Sequence, residues 1–445
     1  MNTLKLKYIR QSIGIFLVTM GSPLIFFFKE FLGFGGSSVF TIAGLALGCI
    51  LLISKDTFRV WYKPNNITCR LATYFTVLSY SYMYYFNPDY WRPDLMFRET
   101  GNYLFIVGFF VLLLSVSNDI KKEFIPVVVV LTFIGSLCLI YSMATNPYFI
   151  IGQRATVVFG DGSTGASGNP HVYARNAFAG IFASYLLMKE SSSNLRWRLF
   201  CLGNIFFSLI VLMLTQARSI LLSFFFALTI FTFYNLKRLN IARAIRSFFS
   251  AENILIFVSI IVVIISILVV KGELVDIIIS YYENASTTFV KALLTATGMA
   301  SEKEVDASAM GRVGNFAYFS DLINEEPWLV FLGKGYRYFY LDIPLLESLL
   351  DYGLIGFFSF GMMNWLFFKD SLRTIRDNNN PMTIFFCYLF FTYFVGIFTG
   401  GRPNDTPYWF VYGFMIRFVG LEYLKVKQVA FKKSLELEES DKQNL

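Results

Sequence analysis

The sequence predicts an all-α polytopic membrane protein, with about twelve transmembrane helices and one long extracytoplasmic loop that carries helices of its own. Three observations carry this. The 445 residues are 56% hydrophobic and only 15% charged, too little polar surface for a soluble globule. Apolar runs of bilayer-crossing length follow one another along the chain and are interrupted at length only once, over 271–343. The basic residues fall in alternate short loops, the distribution that fixes orientation in a membrane.

In chain order the apolar runs are 13–28, 34–53, 68–86, 102–117, 124–144, 172–188, 199–214, 219–234, 253–270, 344–368, 381–399 and 407–424. Lys5, Lys7 and Arg10 precede the first run without a small-residue cleavage site behind it, so it reads as a retained helix. Runs 199–214 and 219–234 are separated only by a short turn at Arg218 and form a helical hairpin. Within 271–343, helical spacing covers 274–300 and 312–323, and Pro327, Gly333 and Gly335 mark a turn region. The chain thus divides into nine helices over 1–270, the loop 271–343, three helices over 344–424 and a charged tail 425–445.

With both ends in the cytoplasm, five basic loops fall inside: those with Lys55, Arg59 and Lys63; Lys121 and Lys122; Arg196 and Arg198; Lys237, Arg238, Arg243 and Arg246; and Lys369, Arg373 and Arg376. Segments 87–101, 145–171, the Arg218 turn, 271–343 and 400–405 then fall outside. The net charge of +8 is therefore explained by topology, and no nucleic-acid partner follows from it. The five cysteines lie in or beside apolar runs, and His171 is the only histidine, so neither a disulfide framework nor a zinc site is expected. No cofactor or metal is expected. No internal repeat or matched pair of broken helices points to an inverted-repeat carrier.

Arginines near lipid are costly unless paired, which makes Arg218 either a functional group or a side chain reaching to the headgroups. Arg312 opens an amphipathic loop stretch that leads to Gly333-Lys334-Gly335. Asp342 stands two residues before Pro344, where an acid serves either as a base or as a helix cap. Glu347 and Asp351, four apart inside an apolar run, face the bundle and pair with Arg417 or another base if they are structural. Tyr80, Tyr82, Tyr84, Tyr85, Tyr90 and Trp91 read as an aromatic belt.

The order of these segments resembles the O-antigen ligase and Wzy polymerase superfamily of bacterial polysaccharide enzymes. Gly353-Leu354-Ile355-Gly356 matches the ligases' Gly-x-x-Gly and places Asp342 where they carry histidine, a departure that favours a polymerase. Arg154 followed by Gly168-Asn169-Pro170-His171-Val172-Tyr173-Ala174 is similar to the superfamily's arginine and Asn-Pro-Asn-x-x-Ala pattern, with His171 in the place of asparagine. Arg154 with Gly165, and Arg402 with Gly413, fit an arginine, ten residues and glycine. The resemblance spans 154–356; outside it the helices agree only in being apolar.

It implies a GT-C-like fold and a metal-independent glycosyltransferase of the bacterial inner membrane. A growing O-antigen or capsule glycan would pass from undecaprenyl diphosphate to a lipid-linked repeat unit, with a chain-length-regulating protein as a further partner. Arg218 and Arg312 are then expected to bind the diphosphate leaving group, because guanidinium forks match phosphate oxygens. Arg154, Arg402, Lys334, Arg337 and His171 are expected as further substrate contacts, and Asp342, followed by Glu347, as the base for the acceptor hydroxyl. Two alternatives share the anionic lipid substrate: a ligase transferring glycan to lipid A core or protein, and a flippase of lipid-linked sugar.

Overall fold

The computed structural model describes residues 3–35, 37–86, 93–146, 149, 153–159, 169–190, 194–236, 307–377 and 380–421, together with Ile279, Glu283 and Thr287. The expected run 253–270, the first loop helix 274–300 apart from Ile279, Glu283 and Thr287, and the tail lie outside the described residues. The described secondary structure is helical: α1 Thr3–Thr19, α2 Ser22–Phe31, α3 Ser38–Leu52, α4 Asn66–Tyr85, α5 Pro93–Leu114, α6 Lys121–Thr145, α7 Pro170–Glu190, α8 Leu195–Thr215, α9 Arg218–Leu236, α10 Ala307–Glu325, α11 Leu329–Leu332, α12 Pro344–Asp377, α13 Pro381–Gly396 and α14 Thr406–Phe418. The expected apolar runs among the described residues each overlap a helix, and the first overlaps two.

Four helical stretches are long and apolar enough to cross a membrane: Pro93–Leu114, Asn118–Thr145, Leu195–Thr215 and Pro344–Asp377. The first expected run is not one straight helix. It breaks between Thr19 and Ser22, and the bent pair, at 76°, makes a fifth span if counted as one. Gly21 sits at the bend, and a Cβ there would meet the Leu17 carbonyl oxygen at 2.6 Å. Ser38–Leu52, Arg218–Tyr234 and Pro381–Gly396 are shorter apolar helices.

The bundle is organised around α13, whose residues from Met382 through Tyr393 are all buried. A helix apolar on every face belongs inside, and α13 packs on α6, α7, α9, α12 and α14. Peripheral helices instead expose large apolar side chains, such as Ile42, Leu47 and Ile50 on α3 or Phe358, Met362 and Trp365 on α12. A seam of small and polar residues joins α6, α7 and α8: Asn204 Nδ2 donates to Ser184 Oγ at 2.9 Å, and Asn176 Nδ2 donates to the Thr132 carbonyl at 2.9 Å. In a hydrocarbon surrounding, such close packing and interhelical hydrogen bonds hold helices together, because lipid supplies no drive to bury apolar surface.

The connecting segments sort to two ends. At the end expected to be cytoplasmic, Asn65, Asn194 and Asn380 cap α4, α8 and α13 by accepting the N–H of Ile67, Arg196 and Met382, each contribution being about 1 kcal/mol. There Tyr62 N–H bonds the Leu114 carbonyl, Asn65 N–H bonds the Ile416 carbonyl, and the buried Arg417 donates to the Val116 carbonyl and to Asn118 Oδ1. Arg417 thus ties helix ends together and is not the partner of Glu347 or Asp351. The opposite end gathers the described parts of the segments expected to lie outside.

That end is built on a break in α12. Gly353 has φ 65 and ψ −163 inside the helix, and a Cβ on it would collide with the Phe331 carbonyl oxygen. The turn at Gly333 and Gly335 enters the break: Lys334 N–H bonds the Leu350 carbonyl at 2.7 Å, and Gly335 N–H bonds the Asp351 carbonyl at 3.2 Å. Backbone acceptors interrupted by the break are therefore satisfied by the loop. A small core of Phe319, Leu322, Leu329, Leu341 and Leu350 seats α10 and α11 on the start of α12.

Candidate functional site

Just beyond the break, charged residues distant in sequence converge. The Asp351 carboxylate, fully buried, accepts the backbone N–H groups of Arg337 at 3.0 Å and Tyr338 at 3.1 Å. This fixes the loop so that the Arg337 side chain reaches Glu99 of α5, with Nη1 to Oε1 at 2.6 Å, and Asp405 before α14, with Nη2 to Oδ1 at 3.3 Å. Asp405 also accepts the Arg402 N–H at 2.8 Å. Tyr336, buried beside Arg337, donates its hydroxyl to Glu99 Oε2 at 3.4 Å.

Glu347, one turn before Asp351, is likewise buried and accepts the Leu341 N–H at 3.1 Å. Arg402 Nη1 lies 3.0 Å from Glu347 Oε1, but the two atoms are not aligned as a hydrogen bond, so this contact is Coulombic. Asp342 is half-buried with a left-handed backbone, φ 59, which aspartate tolerates. Its Oδ1 accepts the Tyr340 hydroxyl at 2.7 Å and the Gly401 N–H at 3.3 Å. The Arg402 guanidinium stacks 5.0 Å from the Tyr340 ring.

The electrostatics follow from burial. Desolvation raises the Asp405 carboxyl above its ordinary range, against the lowering effect of its bond from the Arg402 N–H and of the Arg337 and Arg402 charges. Burial alone would lower the Arg337 guanidinium, yet Glu99, Tyr336 and Asp405 together raise it, so this arginine stays charged. Tyr336 and Tyr340 are pushed up, first by desolvation, and remain protonated donors. The carboxyl groups of Glu99, Asp342, Glu347, Asp351 and Asp405 outnumber the guanidinium groups of Arg337 and Arg402. Such a centre suits hydrogen bonding to hydroxyl groups and proton transfer better than capture of a free polyanion.

A second group lies at the same end on α7 and α9. His171 Nδ1 is 3.1 Å from Ser219 Oγ, next to Arg218, the first residue of α9. Arg154 is exposed on a strap anchored by the Ala155 N–H to the Leu214 carbonyl at 3.0 Å, at the end of α8. Between the two groups opens a mostly apolar cavity of about 540 Å³. It is lined by Arg98 and Asn102 of α5, Arg175 and Asn176 of α7, and Thr406, along with apolar residues from the α1–α2 break, α3, α13 and α14.

Of the residues expected from sequence, Asp342, Glu347, Arg337 and Arg402 come together, His171 sits against Ser219 next to Arg218, and Arg154 lies apart on the exposed strap. Lys334 is held elsewhere: its Nζ makes two hydrogen bonds to Glu326, at 2.7 and 2.8 Å, and lies over the rings of Trp328 and Tyr338. Arg312 falls on α10, with its side chain outside the described part. Glu99, Asp351 and Asp405 were not expected as members of one charged centre, nor Arg98 and Arg175 as cavity residues. Arg175 carried a readable signal, an arginine inside the apolar run 172–188.

Among the described residues no cluster of three or more metal-ligating side chains is present. Comparison with protein-family models and with curated proteins finds no match for this chain. Fold and site together define an all-α protein with several helices able to cross a membrane and a buried acid-rich centre at one end of its bundle.

Proposed function

We propose that this chain is a polymerase of lipid-linked glycan repeat units, transferring a growing glycan from a polyprenyl diphosphate to the next lipid-linked unit at the outer face of a bacterial inner membrane. The observation that carries the reading is the meeting of Asp342 with the 400–402 turn, where Gly401 N–H and Tyr340 hold the carboxylate beside Arg402.

Asp342 is the base. Its carboxylate takes the proton of the acceptor hydroxyl as that oxygen bonds to the anomeric carbon and the diphosphate leaves with the electrons of the broken bond. Arg218 and Arg312 stabilise the departing diphosphate, whose negative charge grows in the transition state. Arg402 and Arg337 hold the loop and the acid-rich centre in place, and Glu347, buried against Arg402, orients that arginine.

Purified protein supplied with lipid-linked repeat units, with and without chelator, tests the reading. A ladder of extended products insensitive to chelator is expected, and Arg218→Ala or Arg312→Ala should abolish it while the protein remains in the membrane. A normal ladder from both variants would remove the arginines from the mechanism, and no ladder from the wild type would remove the function.

A further inference from the structure

The segment between α3 and α4 is a fixed loop that presents aromatic rings outward. Thr57 Oγ1 accepts the Ser54 N–H at 2.7 Å, and the Arg59 and Val60 N–H groups both reach the Asp56 carbonyl, at 3.0 and 3.2 Å. On one side of this turn Arg10 donates to the Ile53 carbonyl. On the other, the Tyr62 N–H bonds the Leu114 carbonyl at 2.8 Å, and the Arg417 guanidinium lies 4.8 Å from the Tyr62 ring. Leu114 ends one helix able to cross a membrane and Asn118 begins the next, so the loop is held at the level where spans end.

On this frame Phe58 takes a left-handed backbone, φ 66, a region that a bulky aromatic residue rarely enters. The strain does not bury the ring: Phe58 is 61% exposed and Trp61 52% exposed, with ring centroids 6.4 Å apart. Trp61 Nε1 donates to the Phe58 carbonyl at 3.1 Å, which holds the two residues as one unit. Lys55, Arg59 and Lys63 flank them in the chain and are exposed as well. Asp56, the one acid of the segment, is taken by Lys7 at 2.5 Å, and none of the three bases forms an ion pair with another described residue. Aromatic rings at the level of helix ends suit the interfacial layer of a bilayer, and basic groups beside them attract headgroups of opposite charge.

We propose that the Phe58–Trp61 loop is a binding site for anionic phospholipid, with the two rings at headgroup depth and the phosphates on Lys55, Arg59 and Lys63. The site lies at the end expected to face the cytoplasm and stands independently of the glycan-extension reading.

The test places the full chain in nanodiscs of mixed phosphatidylglycerol and phosphatidylcholine, with bromine on the acyl chains of one lipid or of the other. The fluorescence of Trp61 is the wild-type signal less that of Trp61→Phe. At equal mole fractions, brominated phosphatidylglycerol should quench it as though enriched about tenfold beside the ring, a preference that shrinks in high salt. Lys55→Gln, Arg59→Gln and Lys63→Gln together should bring the two lipids to parity, and the exposure of all three leaves the fold intact. Phe58→Gly is a second, independent variant: glycine takes this backbone without strain, so the chain should unfold no more readily than wild type while quenching by either lipid falls.

Equal quenching by the two lipids in the wild type would leave an ordinary aromatic belt, and quenching by neither would place the rings against protein or water. A preference that survives the triple substitution would assign it to other residues, and undiminished quenching in Phe58→Gly would remove the strained ring from the site. Each of these overturns the proposal.

Discussion

The carboxylate of Asp351, inside α12, accepts the backbone N–H of Arg337 at 3.0 Å, and that same arginine's side chain reaches Glu99 of α5 at 2.6 Å. One helix residue thus sets the loop conformation from which the charged centre is assembled. Asp351→Ala would leave the N–H groups of Arg337 and Tyr338 buried without acceptors, at about 1–3 kcal/mol each. Thermal unfolding in detergent should show a large drop for Asp351→Ala and a smaller one for Asp351→Asn, which keeps one acceptor. Equal midpoints for both variants and the wild type would mean that the loop is held by other contacts.

Gly353 and Gly333 interlock where the loop enters α12. Gly353→Ala puts a Cβ against the Phe331 carbonyl at φ 65, and Gly333→Ala brings one to 2.5 Å from the Asp351 carbonyl oxygen at φ 76. Each should destabilise by about 1–3 kcal/mol through backbone strain, while Gly101→Ala, with open space around it, should be close to neutral. Limited proteolysis of the 326–343 region reads the difference, and resistance equal to wild type in both strained variants would speak against the interlock.

The Arg337–Glu99 pair makes a double-mutant cycle informative. Arg337→Gln leaves the buried Glu99 carboxylate without its main partner and should cost about 3–5 kcal/mol. Glu99→Gln in the same chain should restore part of that loss, because no uncompensated charge remains. Additive losses would show that the two residues act separately.

Asp405 gives a dependence on pH. Burial raises its folded-state pKa above 3.8, so the folded protein holds this proton more tightly than the unfolded chain. Its contribution is complete below pH 3.8 and is lost as pH rises through the raised folded value. Relative to Asp405→Asn, the wild type should therefore lose stability as pH climbs from that point, and parallel pH profiles would argue against a raised carboxyl.

Asp342→Asn separates base from scaffold, since asparagine still accepts from Tyr340 and Gly401 through its amide oxygen. Loss of a general base should slow extension by about 10²–10⁴-fold with little change in the unfolding midpoint. Retained rate would make the acid structural.

Apolar run length was enough to locate most of the described helices, because it follows from local composition. The breaks were not legible. A helix interrupted at Gly353 reads as continuous until the carbonyls it frees are seen accepting Lys334 and Gly335, and the bend at Gly21 looks like any other glycine in an apolar run. Asp342 and Arg402 were legible singly, but their meeting through Gly401 is a tertiary fact. The pairing of Lys334 with Glu326 was not legible either, because the partner lies eight residues back, across a turn that spacing alone does not close.

α13, buried from Met382 through Tyr393, follows α6, α7 and α9 in the chain and is synthesised after them. Segments inserted earlier, α6, α7 and α9 among them, must wait in the bilayer with their inward faces against acyl chains until it arrives. Assembly of this bundle therefore includes a threading event, and a ribosome stalled before residue 381 would leave the earlier helices without the post around which they close.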